Sequence, residues 1–172
     1  MLDVISADVA PALSAPLGQV ETAFRRLTHL VKDMSQDALD YRGPSGNQNS
    51  TAMLIMHLAQ VDLTYLHTIT GEPVSAELES LYGPYHDENG HIPLVTGVSA
   101  TDLLSHYRRV IDMVADYLKT KSDDEASRSV TIPWWEQPAT VRYVLWHIAS
   151  HSMFHQGQIT RLKALYSEQY GA

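Results

Sequence analysis

Histidine is the residue type whose number and spacing stand out in this sequence. The chain has nine histidines in 172 residues, and His147, His151 and His155 follow one another at intervals of four. Because an α-helix turns ~100° per residue, this spacing places the three imidazoles on one helical face, each ~40° from the next. Apolar Val144 and Ile148 border that face. The imidazoles are therefore predicted to point into the protein interior.

Imidazoles crowded together in an interior need partners. Neutral rings would leave polar nitrogens unpaired, and protonated rings would repel one another. A lone buried histidine is commonly satisfied by one hydrogen bond, but two or three on one face favour a divalent cation, which takes the nitrogen lone pairs directly. A histidine pair four residues apart on a helix is also the arrangement of zincin-type sites. The pattern predicts a metal site.

A third ligand is expected from a facing helix, and His57 is the candidate because it lies midway along an apolar helical segment. His67, near the end of that segment, is predicted at the surface or beside the site. His86 and His91 flank Asp87-Glu88. That cluster could bind a metal, but a solvated mobile loop is the favoured interpretation. The remaining two, His29 and His106, lie off the apolar stripes of their helices and are predicted to be exposed.

Four segments with helical periodicity position these residues, which predicts an all-α protein with one domain over residues 1–172. The helices are expected at about 15–35, 50–70, 100–120 and 140–167. A long link over residues 71–98 separates the second from the third. A helix of ~20 residues is ~30 Å long, so a parallel neighbour needs a connection that retraces that length. We therefore expect a crossover between these two helices, with a short helical turn at Ser75–Leu81.

Two segments resemble the DinB/YfiT family. His147-Ile-Ala-Ser-His151-Ser-Met-Phe-His155-Gln-Gly-Gln-Ile159 is similar to the C-terminal motif of that family, and Met56-His57-Leu58-Ala59 to its second-helix motif. The resemblance implies a four-helix bundle of up-down-down-up order. It also implies a divalent metal, nickel or zinc, held by His57, His151 and His155, with His147 beside the site. Gln156 stands where the family usually has arginine.

The resemblance implies a function as well. The family includes thiol-dependent transferases and isomerases that use small thiols such as bacillithiol, mycothiol or glutathione. This chain has no cysteine, so the attacking sulfur would come from a cosubstrate. A catalyst should have a cleft that reaches the metal, and its lining is expected to include Tyr82, Tyr85 and the Trp134-Trp135 pair, with core packing an equal interpretation for each.

Two alternatives stay open. One is a metal-binding stress or accessory protein without turnover. The other is a metal-dependent hydrolase, although the one obvious acid near the ligands, Asp62, lies ~140° round its helix from His57.

Composition excludes other classes. A net charge of −8 argues against a nucleic-acid-binding protein, which normally presents a basic face to phosphates. No apolar run approaches the ~20 residues that span a bilayer. Residues 1–4 contain no basic stretch, so we expect no signal peptide and a cytoplasmic protein.

A homodimer is also predicted, from apolar residues that would remain outside the bundle core. A patch of this kind usually marks an interface. The alternative is that the first helix or the long link covers it within one chain. The patch is drawn from the second helix (Ile55, Met56, Ala59, Leu63 and Leu66) and from the fourth (Trp146, Ala149, Met153 and Gly157).

Overall fold

A computed structural model of the protein describes residues 4–171. Most of the N-terminal stretch on which the absence of a signal peptide was predicted lies outside these residues. The described chain is all-α apart from two strands of two residues each. The elements are α1 (Pro11–Val31), α2 (Gln36–Asp40), α3 (Thr51–Thr70), α4 (Ala76–Tyr82), α5 (Ala100–Lys119), α6 (Asp124–Ser127), β1 (Ser129–Val130), β2 (Ala139–Thr140) and α7 (Val141–Tyr170).

Hydroxyl side chains begin the helices that carry the site. Ser50 accepts a hydrogen bond from the Met53 amide at the start of α3, and Thr140 does the same for Tyr143 in α7. Such caps satisfy amides that have no partner inside the helix. Gly71 ends α3 in the left-handed conformation, with φ of 74°, which a glycine adopts without steric cost. These boundaries confirm the sequence prediction for α3 and agree with that for α7 to within three residues.

The first helix lies one turn earlier than predicted. It begins at Pro11, whose fixed φ suits the first helical turn. It ends at Val31, because Ser35 caps a new helix by accepting a hydrogen bond from the Ala38 amide. The predicted limits of about 15 and 35 were therefore both too late.

The long link between α3 and α5 is structured. It contains α4, capped by Ser75, as expected within one residue. Asp87 then organises a turn, because its Oδ1 accepts hydrogen bonds from the amides of Asn89 and His91, both at 2.9 Å. Hydrogen bonds therefore order the turn in the loop that was predicted to be solvated and mobile, and His86 and His91 on either side of it are exposed.

The two short strands close a loop that carries both neighbouring tryptophans. They pair antiparallel, with Ser129 opposite Thr140 and Val130 opposite Ala139. Strands of two residues are too short to show alternation, so no sequence pattern indicated them. Their pairing is accompanied by contacts of Trp135 with Tyr143 and His147 of α7.

The four long helices α1, α3, α5 and α7 pack around one apolar core. Helices α1 and α7 run in the same direction: Gln156 Nε2 donates to the Ala23 carbonyl at 2.9 Å, and Lys163 Nζ to that of Leu30 at 3.2 Å. Among residues 4–171, no helix is long and apolar enough to cross a membrane.

Asp62 is a charged residue type buried inside this core. Its side chain is 1% exposed and accepts a hydrogen bond of 2.7 Å from the Tyr107 hydroxyl of α5 at Oδ2. Oδ1 has no partner among the described residues. Burial raises the pKa of Asp62 to about 8, because water no longer stabilises the charged form. Asp62 thus faces α5 and does not join the histidines.

The structure contradicts the part of the predicted dimer surface that was assigned to α3. Ile55, Ala59, Leu63 and Leu66 are all buried within the chain, because α2, α5 and α7 pack around α3. Met56 is partly buried. On α7, Ala149 is also buried, whereas Trp146 and Met153 are each 48% exposed and Gly157 lies at the surface.

Candidate metal centre

Three histidines from two helices converge at one point. His57 comes from α3, and His151 and His155 come from α7; one ring nitrogen from each lies within 4.8 Å of the others. The ring centroids are 5.4 Å apart for His57 and His151, 5.2 Å for His57 and His155, and 4.5 Å for His151 and His155. The structure therefore brings together the three residues that the sequence singled out.

Neighbouring oxygens determine which nitrogen of two rings carries the proton. His57 Nδ1 lies 3.2 Å from the Tyr85 carbonyl, and His155 Nδ1 lies 2.8 Å from Gln158 Oε1. Both oxygens act as acceptors, so both Nδ1 atoms are the donors. The Nε2 lone pairs of His57 and His155 are left free. A second ring-nitrogen bond of this kind is the usual device for orienting a metal ligand.

The third histidine shows what this arrangement lacks without a cation. His151 Nε2 lies 2.8 Å from His155 Nε2, and His151 Nδ1 is buried with no partner among the described residues. Two facing lone pairs repel unless a proton or a cation lies between them. Nitrogens bound at ~2.0–2.1 Å to a tetrahedral ion are ~3.3 Å apart, a spacing that lies between the 2.8 Å of this pair and the 4.8 Å within which all three ring nitrogens fall. The residues present therefore fit a divalent metal.

Burial keeps the imidazoles neutral. Burial, with smaller contributions from the neighbouring His155 and His86, lowers the pKa of His57 to about 4. Burial also lowers the pKa of His151 to about 3, with contributions from His155 and His57, and it lowers the pKa of His155. At neutral pH the lone pairs are therefore not blocked by protons. Three neutral nitrogen donors suit zinc, nickel or a similar ion.

His147 lies beside the three converging rings. It stacks on His151 with centroids 5.9 Å apart and an angle of 14°. The edges of Tyr65 and Trp135 pack against it at 5.4 and 5.0 Å. This is the neighbouring position expected for it.

A cavity of about 350 Å³ opens onto His57 and His151. Of the residues expected to line such a cleft, Tyr85 and Trp134 do so. Trp135 packs behind them, against Tyr65 at 5.7 Å. The full lining is His57, Val61, Thr64, Tyr65, Tyr85, His86, Trp134, His147 and His151.

Tyr82 does not line the cavity and packs in the core, which was the alternative interpretation for it. Its side chain is buried, and its hydroxyl donates to the His106 carbonyl at 2.9 Å. The ring therefore points toward α5 and away from the cavity.

His86 is exposed, in agreement with the predicted solvated loop, but its position beside His57 was not predicted. Its ring lies over that of His57, with centroids 5.5 Å apart and an angle of 23°. His91, four residues after the turn residue Asp87, is exposed as predicted. The sequence offered only a weak signal here: an aromatic residue and a histidine before an Asp-x-x-Gly turn that ends at Gly90.

Gln60 is a residue of the site region that sequence reasoning missed. It is buried, and its Nε2 donates to the Tyr82 carbonyl at 2.5 Å. His57, three residues earlier on α3, donates to the Tyr85 carbonyl. These two bonds fix the segment Tyr82–His86, which we term the strap, along α3. The orientation of His57 is therefore coupled to the position of the strap.

Gln156 does not contact the three histidines. It is buried between helices, where Nε2 donates to the Ala23 carbonyl at 2.9 Å and to Ser152 Oγ at 3.1 Å. Gln156, at the position where the family usually has arginine, thus links α7 to α1 by a hydrogen bond.

These features define an all-α protein with a buried three-histidine group that could hold a metal ion. Comparison with known proteins gives the family. The model of the mycothiol-S-transferase family matches residues 15–167. The uncharacterized protein YkkA of Bacillus subtilis (strain 168) is 30% identical over 157 residues, which cover 91% of this chain and 89% of YkkA. The chain belongs to this DinB-like family, which confirms the resemblance seen in its motifs.

Proposed function

We propose that this protein is a metal-dependent S-transferase that joins the sulfur of a small thiol cosubstrate to an electrophilic carbon. The observation that carries the proposal is the convergence of three neutral imidazoles, two of which, those of His57 and His151, line a cavity. The matching family is described as mycothiol-S-transferase, which supports a thiol cosubstrate.

His57, His151 and His155 would hold the ion, with nickel or zinc the ions we favour. Three protein ligands leave a position open for a further group, as in catalytic metal sites. A bound divalent ion would lower the pKa of a thiol and stabilise its negative charge.

The chain's own residues orient the ligands and exclude water. The Tyr85 carbonyl and Gln158 hold the Nδ1 protons of His57 and His155, which directs both Nε2 atoms toward the same point. Aromatic walls keep the adjoining space poor in water, which strengthens electrostatic interactions there.

In the reaction, the thiol gives up its proton and its sulfur forms a bond to carbon. In a substitution, the leaving group departs with the bonding electrons. In an addition, the π electrons move to the neighbouring carbon, which takes up a proton. The chain contains no cysteine, so the sulfur is supplied by the cosubstrate. Mycothiol, bacillithiol and glutathione are the thiols to be tested.

We also infer a single four-helix bundle of up-down-down-up order, located in the cytoplasm. Helix α5 runs opposite to α1, because Arg108 pairs with Glu21 while Gln36 donates to the Val98 carbonyl at the other end. Helix α3 runs opposite to α7, since His57 lies beside His155 and Tyr65 beside His147. These directions support a crossover through the long link.

A metal-dependent hydrolase is not favoured. No aspartate or glutamate among the described residues lines the cavity, and Asp62 faces Tyr107 instead. A hydrolytic water would lack a carboxylate base.

The test is thiol conjugation by protein loaded with nickel or zinc. N-ethylmaleimide and each of the three thiols would be mixed with enzyme, and the conjugate measured by mass spectrometry above the uncatalysed rate. We expect one thiol to react and His151→Ala to lose at least about 100-fold in rate, as for loss of a metal ligand's function. His29→Ala, an exposed histidine far from the site, is the matched control.

Absence of conjugation by fully metal-loaded protein with every thiol would contradict the proposal. It would favour a non-catalytic metal-binding role.

A further inference from the structure

The cavity beside the three histidines is lined mainly by aromatic rings. Tyr65, Tyr85 and Trp134 form one wall, and imidazoles form much of the rest. From this lining we infer that the electrophile it takes is an uncharged compound with a flat, aromatic body. The inference rests on the proposed transferase function and specifies the class of its second substrate.

The aromatic rings contact one another and form a continuous wall for a flat molecule. Tyr65 is 2% exposed and contacts Trp134, with centroids 5.7 Å apart and an angle of 49°. Tyr85 lies 5.9 Å from Trp134 and 5.0 Å from His86, tilted by 42° and 58°. Rings in mutual contact at such separations form a continuous aromatic surface, against which a further aromatic ring can pack.

Charged groups are excluded by the same lining. Among the described residues that line the cavity there is no Asp, Glu, Lys or Arg. A carboxylate on the part of the electrophile that packs against this lining, away from the ion, would lose its hydration and gain no cationic side chain.

The hydrophilic part of a thiol has space elsewhere. A second cavity, of about 710 Å³, shares Trp134 and His147 with the first and is also lined by Glu136, Gln137 and Thr140. The first cavity, at about 350 Å³, is near the lower end of the ~300–1,000 Å³ range of small-molecule sites. Its size suits a compound of one or two rings.

Three maleimides test this class because they share one reactive group. The thiol adds across the maleimide double bond: sulfur bonds to one carbon, the π bond is broken, and a proton is taken up at the other carbon. N-phenylmaleimide carries a neutral ring, N-ethylmaleimide a small aliphatic group, and 4-maleimidobenzoate a charged ring. We expect kcat/KM for the phenyl compound to exceed each of the other two by about tenfold or more, after correction for uncatalysed rates.

Two tryptophan variants locate the preference. Trp134→Leu should reduce kcat/KM for N-phenylmaleimide about tenfold and change that for N-ethylmaleimide less than about threefold. Trp146→Leu is the matched control, since Trp146 lies on the outer face of α7 and is 48% exposed. It should change neither value.

Binding without reaction separates this inference from the proposed function. N-phenylsuccinimide has no double bond, so its affinity for the wild-type protein can be measured by NMR titration. The affinity of 4-succinimidobenzoate, the succinimide that carries a carboxylate on the ring, is measured in the same way. Tighter binding of the neutral ring, with shifts at Trp134, supports the inference even where no thiol reacts. Equal kcat/KM for the three maleimides, or equal binding of the two succinimides, would overturn it.

Discussion

At the scale of single residues, the three converging histidines have a direct consequence for metal content. Purified protein should carry about one divalent ion per chain, and His151→Ala should abolish it, since two imidazoles retain much less affinity than three. Inductively coupled plasma mass spectrometry measures this. His29→Ala should keep the full ion content. An alanine variant at position 151 that holds the wild-type amount would show that the ligands are assigned wrongly.

Asp62 gives the second residue-level prediction. Its pKa is about 8 in the folded chain and ~3.9 in an unfolded one. Between these values the folded state binds more protons, so stability falls as pH rises. Asp62→Asn keeps an acceptor for Tyr107 and removes the titration. Relative to wild type, the variant should gain up to about 1.4 kcal/mol per pH unit between pH 5 and 7.5.

Urea denaturation at several pH values tests this difference. Asp33→Asn is the control, because the Asp33 side chain is 82% exposed, and its difference from wild type should not change over this range. A constant difference between Asp62→Asn and wild type would mean that Asp62 is already ionised at pH 5.

The sequence could predict the three ligands because their signal is local. His151 and His155 are one helical turn apart, and His57 lies in an apolar helix whose caps, Ser50 and Gly71, are visible in the chain. The positions of His86 and Gln60 depend instead on where a loop packs. No periodicity describes that packing, so their place at the site came only from the structure.

At the scale of elements, the strap explains how a loop supports a helix-borne ligand. Gln60→Leu removes the bond to the Tyr82 carbonyl and leaves that carbonyl without its donor. The strap should shift and His57 should lose its orientation. We expect metal affinity to fall about tenfold, within the range for lost outer partners of metal ligands.

A competition titration with a metal indicator dye measures this affinity, and the visible spectrum of the cobalt-loaded protein reports on the ligand geometry. Gln36→Leu is the matched control, since Gln36 also donates to a carbonyl of the long link, that of Val98, but away from the site. Wild-type affinity and an unchanged cobalt spectrum in Gln60→Leu would rule out this positioning role.

The burial of α3 shows where element-level prediction failed. Its apolar residues surround the helix, which indicated burial on two sides, and one side was assigned to a partner chain. In the structure, α2 and α5 cover that side within the same chain. Periodicity shows that a helical face must be buried. It does not show which element buries that face, because this depends on which helices become neighbours.

At the scale of the whole molecule, we expect the apolar core and a bound metal ion to contribute separately to stability. The four long helices bury a core of ordinary size, so folding should not require the ion, unlike in a zinc finger. Chelation should lower the melting temperature and leave the helical circular-dichroism signal intact. Unfolding at room temperature on addition of chelator would contradict this.

The homodimer stays a prediction, now confined to the outer face of α7. Trp146, Met153 and Phe154 are large exposed apolar side chains there, and Gly157 would allow close approach of a partner helix. Met153→Glu should convert a dimer into a monomer, because a buried carboxylate without a partner is costly. Light scattering decides it, with Ser105→Glu, at an exposed α5 position, as control. A monomeric wild type would exclude this interface.

The strap has one more consequence, which concerns how two ligands would influence each other. His57 is shared: one ring nitrogen faces the candidate ion, and the other bonds to the strap, whose residues Tyr85 and His86 line the cavity. Binding equilibria that share an element are reciprocal, so a compound that tightens the strap raises affinity for the ion by the factor by which the ion raises affinity for the compound. Under the proposed function, the supply of electrophile would then set how firmly the protein retains its metal.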